Sequence, residues 1–74
     1  MIKRTLYFGN PSYLKTTNEQ MVVEMQDSGE TKTIPIEDIG IVILDHQQIT
    51  ITQSLLAKLL ANNTAVIDNT PARF

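Results

Sequence analysis

Apolar and polar residues alternate along the first third of the chain with the two-residue period of strands that bury one face. Ile2, Leu6 and Phe8 fall on one side and Lys3, Thr5 and Tyr7 on the other, with Arg4 the one polar residue on the apolar side. Gly9-Asn10-Pro11-Ser12 is a dense turn signal that ends this strand. Tyr13 to Thr16 predicts a second strand, and Thr17-Asn18-Glu19-Gln20 a hairpin connection into a third from Met21 to Gln26. There Met21, Val23 and Met25 share a face. Asp27-Ser28-Gly29-Glu30 predicts a second hairpin turn, with Gly29 able to take a positive φ. Thr31 to Ile34 returns as a fourth strand, and Pro35 marks its end or a sheet edge. The first half reads as an antiparallel meander.

The pattern then changes. Ile36 and Ile39 stand three apart over a single turn, Ile36-Glu37-Asp38-Ile39, stopped by Gly40. Ile41-Val42-Ile43-Leu44 has no alternation and predicts a strand buried on both faces. Gly40, between that turn and that strand, predicts a backbone reversal at positive φ. Thr50 with Gln53 offers a capping box, or Thr52 a simple N-cap, for a helix that carries Leu55, Leu56, Leu59 and Leu60 as its core stripe. Lys58 points outward and Asn62-Asn63 close the helix. Thr64 to Ile67 is a last short strand, so strand, helix and strand predict a crossover with the two strands parallel. The fold class is α+β, mostly β: a small antiparallel β-sandwich-like domain with one helix in a strand-helix-strand crossover.

Size narrows what this domain can be. At 74 residues it is one domain, and chains so short bury only about 60% of their unfolded surface. There is no cysteine, so neither disulfides nor thiolate metal sites can reinforce a thin core, and a cytoplasmic location fits. The longest unbroken apolar run, Ile41 to Leu44, is far short of the roughly 20 residues that cross a bilayer, so no membrane partner is expected. The net charge of −2 argues against a free-standing nucleic-acid binder, whose affinity comes largely from neutralising phosphates.

Catalytic patterns are weak. Asp45-His46 is an adjacent pair whose side chains would leave a strand on opposite faces, and His46 reads as a turn residue. Glu37-Asp38 lie together on one polar turn, whereas paired carboxylates that act on a substrate face each other across a cleft. Ser12, Ser28 and Ser54 lack a nucleophile elbow, and glycines at 9, 29 and 40 make no phosphate loop. No catalytic, cofactor-binding or metal-ligating residue is assigned. Lys3, Arg4, Lys15 and Lys32, with Tyr7 and Tyr13 nearby, are candidate DNA contacts within a larger assembly. Such residues also serve as solvated side chains and guards of strand edges.

Ordered short stretches carry a resemblance. Arg4-Thr5-Leu6-Tyr7-Phe8 with Asn10-Pro11-Ser12-Tyr13-Leu14 is similar to the opening of the CRISPR-associated spacer-acquisition integrases, the Cas-one family. The run from Ile34 to Leu44 resembles that family's most recognisable N-terminal stretch. Gln48 to Thr52, Leu55-Leu56, Leu59, Asn62-Asn63 and Ala65-Val66-Ile67 follow in the family's order, in wording closest to type II systems. The resemblance runs from about Lys3 to Asp68, which implies an N-terminal β domain over residues 1–68 and a divergent tail over 69–74. It implies that this domain pairs with a second copy, alongside other CRISPR adaptation proteins and DNA in the full assembly. It also implies that catalysis, with Mg or Mn held by a glutamate, a histidine and an aspartate, belongs to a separate helical domain, and none of those ligands maps here. Three functions follow as expectations: an inactive dimerising scaffold of the integrase, a free-standing module that pairs with the full-length integrase, or a weak nucleic-acid-binding β domain.

Overall fold

The computed structural model describes residues 3–69, so Ile2 in the expected first strand and residues 70–74 of the expected tail lie outside the described residues. Seven strands and one helix follow in the order β1 (Arg4–Phe8), β2 (Ser12–Thr17), β3 (Gln20–Met25), β4 (Thr31–Pro35), β5 (Ile39–Leu44), β6 (Ile49–Ile51), α1 (Gln53–Ala61) and β7 (Ala65–Asp68). A single 3₁₀ turn, Ile36–Asp38, joins β4 to β5 and buries both Ile36 and Ile39. Mostly β, with one helix and two sheets, the fold has the expected class.

The turn chemistry explains the hairpins. Asn18 and Glu19 both take positive φ (52° and 62°), the two-residue geometry whose twist matches the strands it joins, here β2 and β3. Gly29, at φ 73°, provides the left-handed step between β3 and β4. These three strands form the antiparallel part of a four-stranded sheet ordered β4-β3-β2-β6, in which the short β6 lies parallel to β2.

The meander does not include β1. That strand skips its sequence neighbour and pairs in parallel with β5, which pairs in parallel with β7, giving a second sheet ordered β1-β5-β7. The crossover β5-α1-β7 is therefore as expected, but the sandwich is antiparallel in only one of its layers. Between them, Phe8, Val42 and Leu44 of one sheet meet Leu14, Met21 and Val23 of the other, with Ile36, Ile39, Leu55 and Leu59 closing one core.

Thr52 is the N-cap of α1, its hydroxyl accepting from the Leu55 amide at 3.3 Å. The helix ends on Asn63 at φ 60°, with the Thr64 amide donating to the Leu59 carbonyl (2.9 Å) and the Asn63 amide to that of Leu60 (3.1 Å). The Asn62 side-chain amide donates to the carbonyls of Ile36 (2.8 Å) and Ile39 (3.2 Å), and the buried Thr64 hydroxyl also donates to Ile39 (2.8 Å). This cluster ties the helix end to the start of β5.

Two structural expectations are corrected. Leu55 and Leu59 are fully buried and Leu56 partly so, but Leu60 is 58% exposed. Four leucines at these positions span too wide an arc for one narrow core contact, and Leu60 falls on the solvent side. Gly40 lies inside β5 without a positive φ. The pairing steps from Arg4↔Ile39 to Thr5↔Ile41, so Gly40 is the extra residue of a β-bulge. A Cβ there would stand 3.0 Å from the Cβ of Lys3, so close approach, rather than a backbone reversal, is what favours glycine.

Candidate functional site

The register of the three-stranded sheet sorts its side chains cleanly. Leu6, Val42 and Val66 are paired neighbours on the core side, as are Phe8, Leu44 and Asp68. Thr5, Ile41 and Ala65 are paired on the opposite side, and so are Tyr7, Ile43 and Ile67. Neither helix nor sheet of the described residues covers that second side: Tyr7 is 61% exposed, Ile67 43% and Ile41 36%. The expectation that the Ile41–Leu44 strand is buried on both faces is thus met on one face only. Parallel sheets occur almost exclusively with both faces covered, so this open apolar face is the most conspicuous surface of the domain.

At the end of that face the Tyr7 hydroxyl donates to the Asp45 carboxylate. This hydrogen bond, with smaller contributions from desolvation and the carboxylate charge, holds the Tyr7 phenol above its ordinary pKa. The ring also lies over Gly9, where a Cβ would come within 3.0 Å of it. Tyr7 is therefore oriented at both ends while its body stays in solvent.

The outer face of the four-stranded sheet differs. Tyr13, Lys15, Val22, Glu24 and Thr33 share it by register, and Lys15 and Glu24 form an ion pair at 2.7 Å. Hydrogen bonding to Glu24, reinforced by its charge, raises the Lys15 pKa. Val22 is buried on this polar side.

The candidate DNA contacts do not converge. Lys3 precedes β1 and its ammonium donates to the Asn62 carbonyl (3.4 Å), while Arg4 begins β1. Lys15 is engaged by Glu24, and Lys32 stands on the edge strand β4 opposite the core residue Val23. The residues lie on two sheets and on different faces.

Nor do the acidic residues and His46 form a metal centre. His46 Nδ1 accepts the Gln48 amide at 3.0 Å, a turn role. Glu37 and Asp38 sit side by side on the 3₁₀ turn. Among the described residues no three His, Cys, Asp or Glu side chains are grouped to hold a metal ion, so a Mg or Mn ion of the kind the resemblance implies has no fitting ligand set here. A cleft of about 600 Å³ with a mixed polar and apolar lining opens between the β2–β3 turn, the 3₁₀ turn and the end of α1, and the ion-paired Glu19 and Lys58 both line it. Sequence reasoning missed both this cleft and the open face. The uniform apolar run of β5 was the one signal for the latter.

These features define a small two-sheet domain with one helix, in which one sheet lacks a cover. Over 67 residues the chain is 30% identical to the CRISPR-associated endonuclease Cas1 of Neisseria meningitidis serogroup C (strain 8013). That match takes in 90% of this chain and 21% of the relative. Among solved structures, the fold is similar to TtCas1 in its crystal structure with DNA (TM-score 0.73, 17% identity, 86% of this chain and 23% of that one). It is equally similar to TtCas1 crystallised as such (TM-score 0.73, 16% identity, 99% of this chain and 27% of that one). No protein-family model matches. The chain is thus similar to Cas1 proteins in sequence and in fold over most of its own length, and it spans only about a fifth to a quarter of the length of the relatives it matches.

Proposed function

We propose that this chain is the N-terminal dimerisation and scaffold domain of a CRISPR spacer-acquisition integrase, inactive on DNA by itself. The observation that carries the reading is the lopsided match: nearly all of this chain aligns, yet to about a fifth of its Cas1 relative. This chain forms a β domain with its own core. In this reading it works in the cytoplasm, during the adaptation stage of antiviral defence, with other adaptation proteins and DNA in the complete assembly. Its contribution is to pair two copies and hold their partners in register.

The test is a cleavage and strand-joining assay on the pure chain with Mg or Mn. No turnover is the expected result. Metal-dependent cleavage that survives His46→Ala would overturn the reading, since the described residues offer no ligand set to support it. Scattered basic residues also predict weak DNA binding with a shallow salt dependence. Submicromolar affinity at about 150 mM salt would instead favour a nucleic-acid-binding domain.

A further inference from the structure

The walls of the cleft are tied to one another. The Ile36 amide donates to the Glu19 carbonyl (3.1 Å), joining the 3₁₀ turn to the β2–β3 turn. The Asn62 side-chain amide donates to the Ile36 and Ile39 carbonyls, joining that same turn to the end of α1. The cleft is therefore formed by the chain alone, and its volume of about 600 Å³ suits a bound side chain or small ligand. Pro35, Ile36 and Ala61 give it apolar surface, and Glu19, Glu37 and Lys58 give it charge.

The chain's own cations show what this corner attracts. Lys58 pairs with Glu19, and the Lys3 ammonium donates to the Asn62 carbonyl (3.4 Å) at the end of α1, where the helix dipole is negative. Acceptors remain. Glu37 makes no ion pair or side-chain hydrogen bond among the described residues. Asn62 directs its amide nitrogen to Ile36, Ile39 and Thr64, which leaves its amide oxygen as an acceptor. The Lys58–Glu19 pair is itself exposed, at 44% and 72%, so exchanging Lys58 for another cation costs little.

A guest that answers this set carries several N–H donors on a delocalised cation, joined to an apolar stem. The arginine side chain does so: its planar guanidinium reaches carboxylate and amide oxygens together, and its methylenes lie along apolar surface. A hard metal ion does not fit, since the described residues group no three ligands for one. We propose that this cleft is a docking site for an arginine side chain presented by a partner protein, with Glu37 as its anchor and Glu19 exchanging Lys58 for the guest. The site needs neither a second copy nor DNA, so it stands apart from the dimerising role above.

The test is an amide NMR titration of the full chain with N-acetylarginine amide, its lysine counterpart and the neutral, nearly isosteric citrulline counterpart. The arginine probe should shift the Glu19, Glu37 and Asn62 amides saturably, the lysine probe less and the citrulline probe not at all. Glu37→Gln should weaken arginine binding about tenfold. Asp38→Asn removes the same charge from the same turn but lies outside the cleft, and should leave binding unchanged. Lys58→Met, which frees Glu19, should tighten binding about two- to fivefold. An absent or unsaturable response, an equal response to citrulline, or equal losses in Glu37→Gln and Asp38→Asn would overturn the proposal. Should Glu37→Gln fail to fold, Lys58→Met decides: unchanged or weaker binding there overturns the site as well.

Discussion

The two sheets solve the same problem differently. In the four-stranded sheet each strand divides its residues between core and solvent, and the solvent side is polar and cross-linked by Lys15 and Glu24. In the three-stranded sheet the central strand, Ile-Gly-Ile-Val-Ile-Leu, is apolar throughout, yet only Val42 and Leu44 of its last four residues are buried. The first sheet is finished within one chain. The second has the composition of a sheet sandwiched between two layers and the surroundings of a sheet covered on one. A local conflict between composition and environment points to a contact outside the chain more directly than any polar motif in this sequence does.

The sharpest way to break this contrast compares neighbours on one strand. Val42→Ala should cost about 2–3 kcal/mol, because Val42 is fully buried and its cavity cannot collapse freely. Ile41→Ala should cost under about 1 kcal/mol in urea unfolding of dilute, monomeric protein, since its side chain is already part-solvated there. On β3 the neighbours should differ less, because Val22 on the outer side is 8% exposed and Val23 on the inner side 1%. Equal costs for Val42→Ala and Ile41→Ala in the monomer would mean that the outer face is packed after all.

Gly40→Val comes next, at about 1–3 kcal/mol, from overpacking where a Cβ already stands 3.0 Å from that of Lys3. Gly40→Ala should be milder, and a combined Lys3→Gly substitution should recover much of the loss. No recovery would show that the bulge itself, rather than the close approach, is what glycine serves.

On the other sheet, Glu19→Gly should stabilise the domain by up to about 1 kcal/mol. Glu19 sits at φ 62°, where glycine carries no steric cost, and the exposed ion pair with Lys58 that it gives up is a weak one. Destabilisation would mean that the Glu19–Lys58 pair contributes more than an exposed pair usually does.

The smallest effect is alkaline and touches both outer faces. Tyr7 and Lys15 each have a folded-state pKa raised, by hydrogen bonds to Asp45 and Glu24 respectively. Each therefore favours the folded state fully below its unfolded value, near 10, and loses that contribution as pH rises through the higher folded value. Ultraviolet titration of a Tyr13→Phe variant should show the remaining phenol, Tyr7, ionising above that ordinary value, and Asp45→Asn should bring it back down.

How much of this was legible follows from range along the chain. The β2–β3–β4 hairpins declare themselves through Asn18, Gly29 and the short strand-length runs that flank them, because both partners lie within a few residues of their turn. The helix is legible through Thr52, its leucines and Asn62-Asn63. The pairing of β1 with β5 is not, since a parallel partner 35 residues away (Arg4↔Ile39) leaves no mark on the strand itself. The short strand Ile49–Ile51 hides inside what reads as a helix cap. Gly40 is ambiguous in sequence because a turn and a bulge both call for glycine. The basic residues read as one group along the strands, and the topology then sends them to different faces. The open face is invisible without register, because nothing in Ile41-Val42-Ile43-Leu44 says which side goes uncovered.

The parallel pairing of β1 also sets a schedule on the growing chain. When β1 leaves the ribosome its neighbour in the sheet does not yet exist, and β2, β3 and β4 all emerge before β5 does. At about 5–20 residues per second that is an interval of several seconds, long compared with the microseconds in which hairpins form. The nascent β2–β3–β4 unit can therefore close first and present a half-built core, while Arg4 to Phe8 waits unpaired. The sheet is completed only when its last strand, β7, arrives beside β5. Until β5 emerges the apolar residues of β1 have no strand to join, and β1 is the segment most open to capture by chaperones or by the wrong neighbour during synthesis.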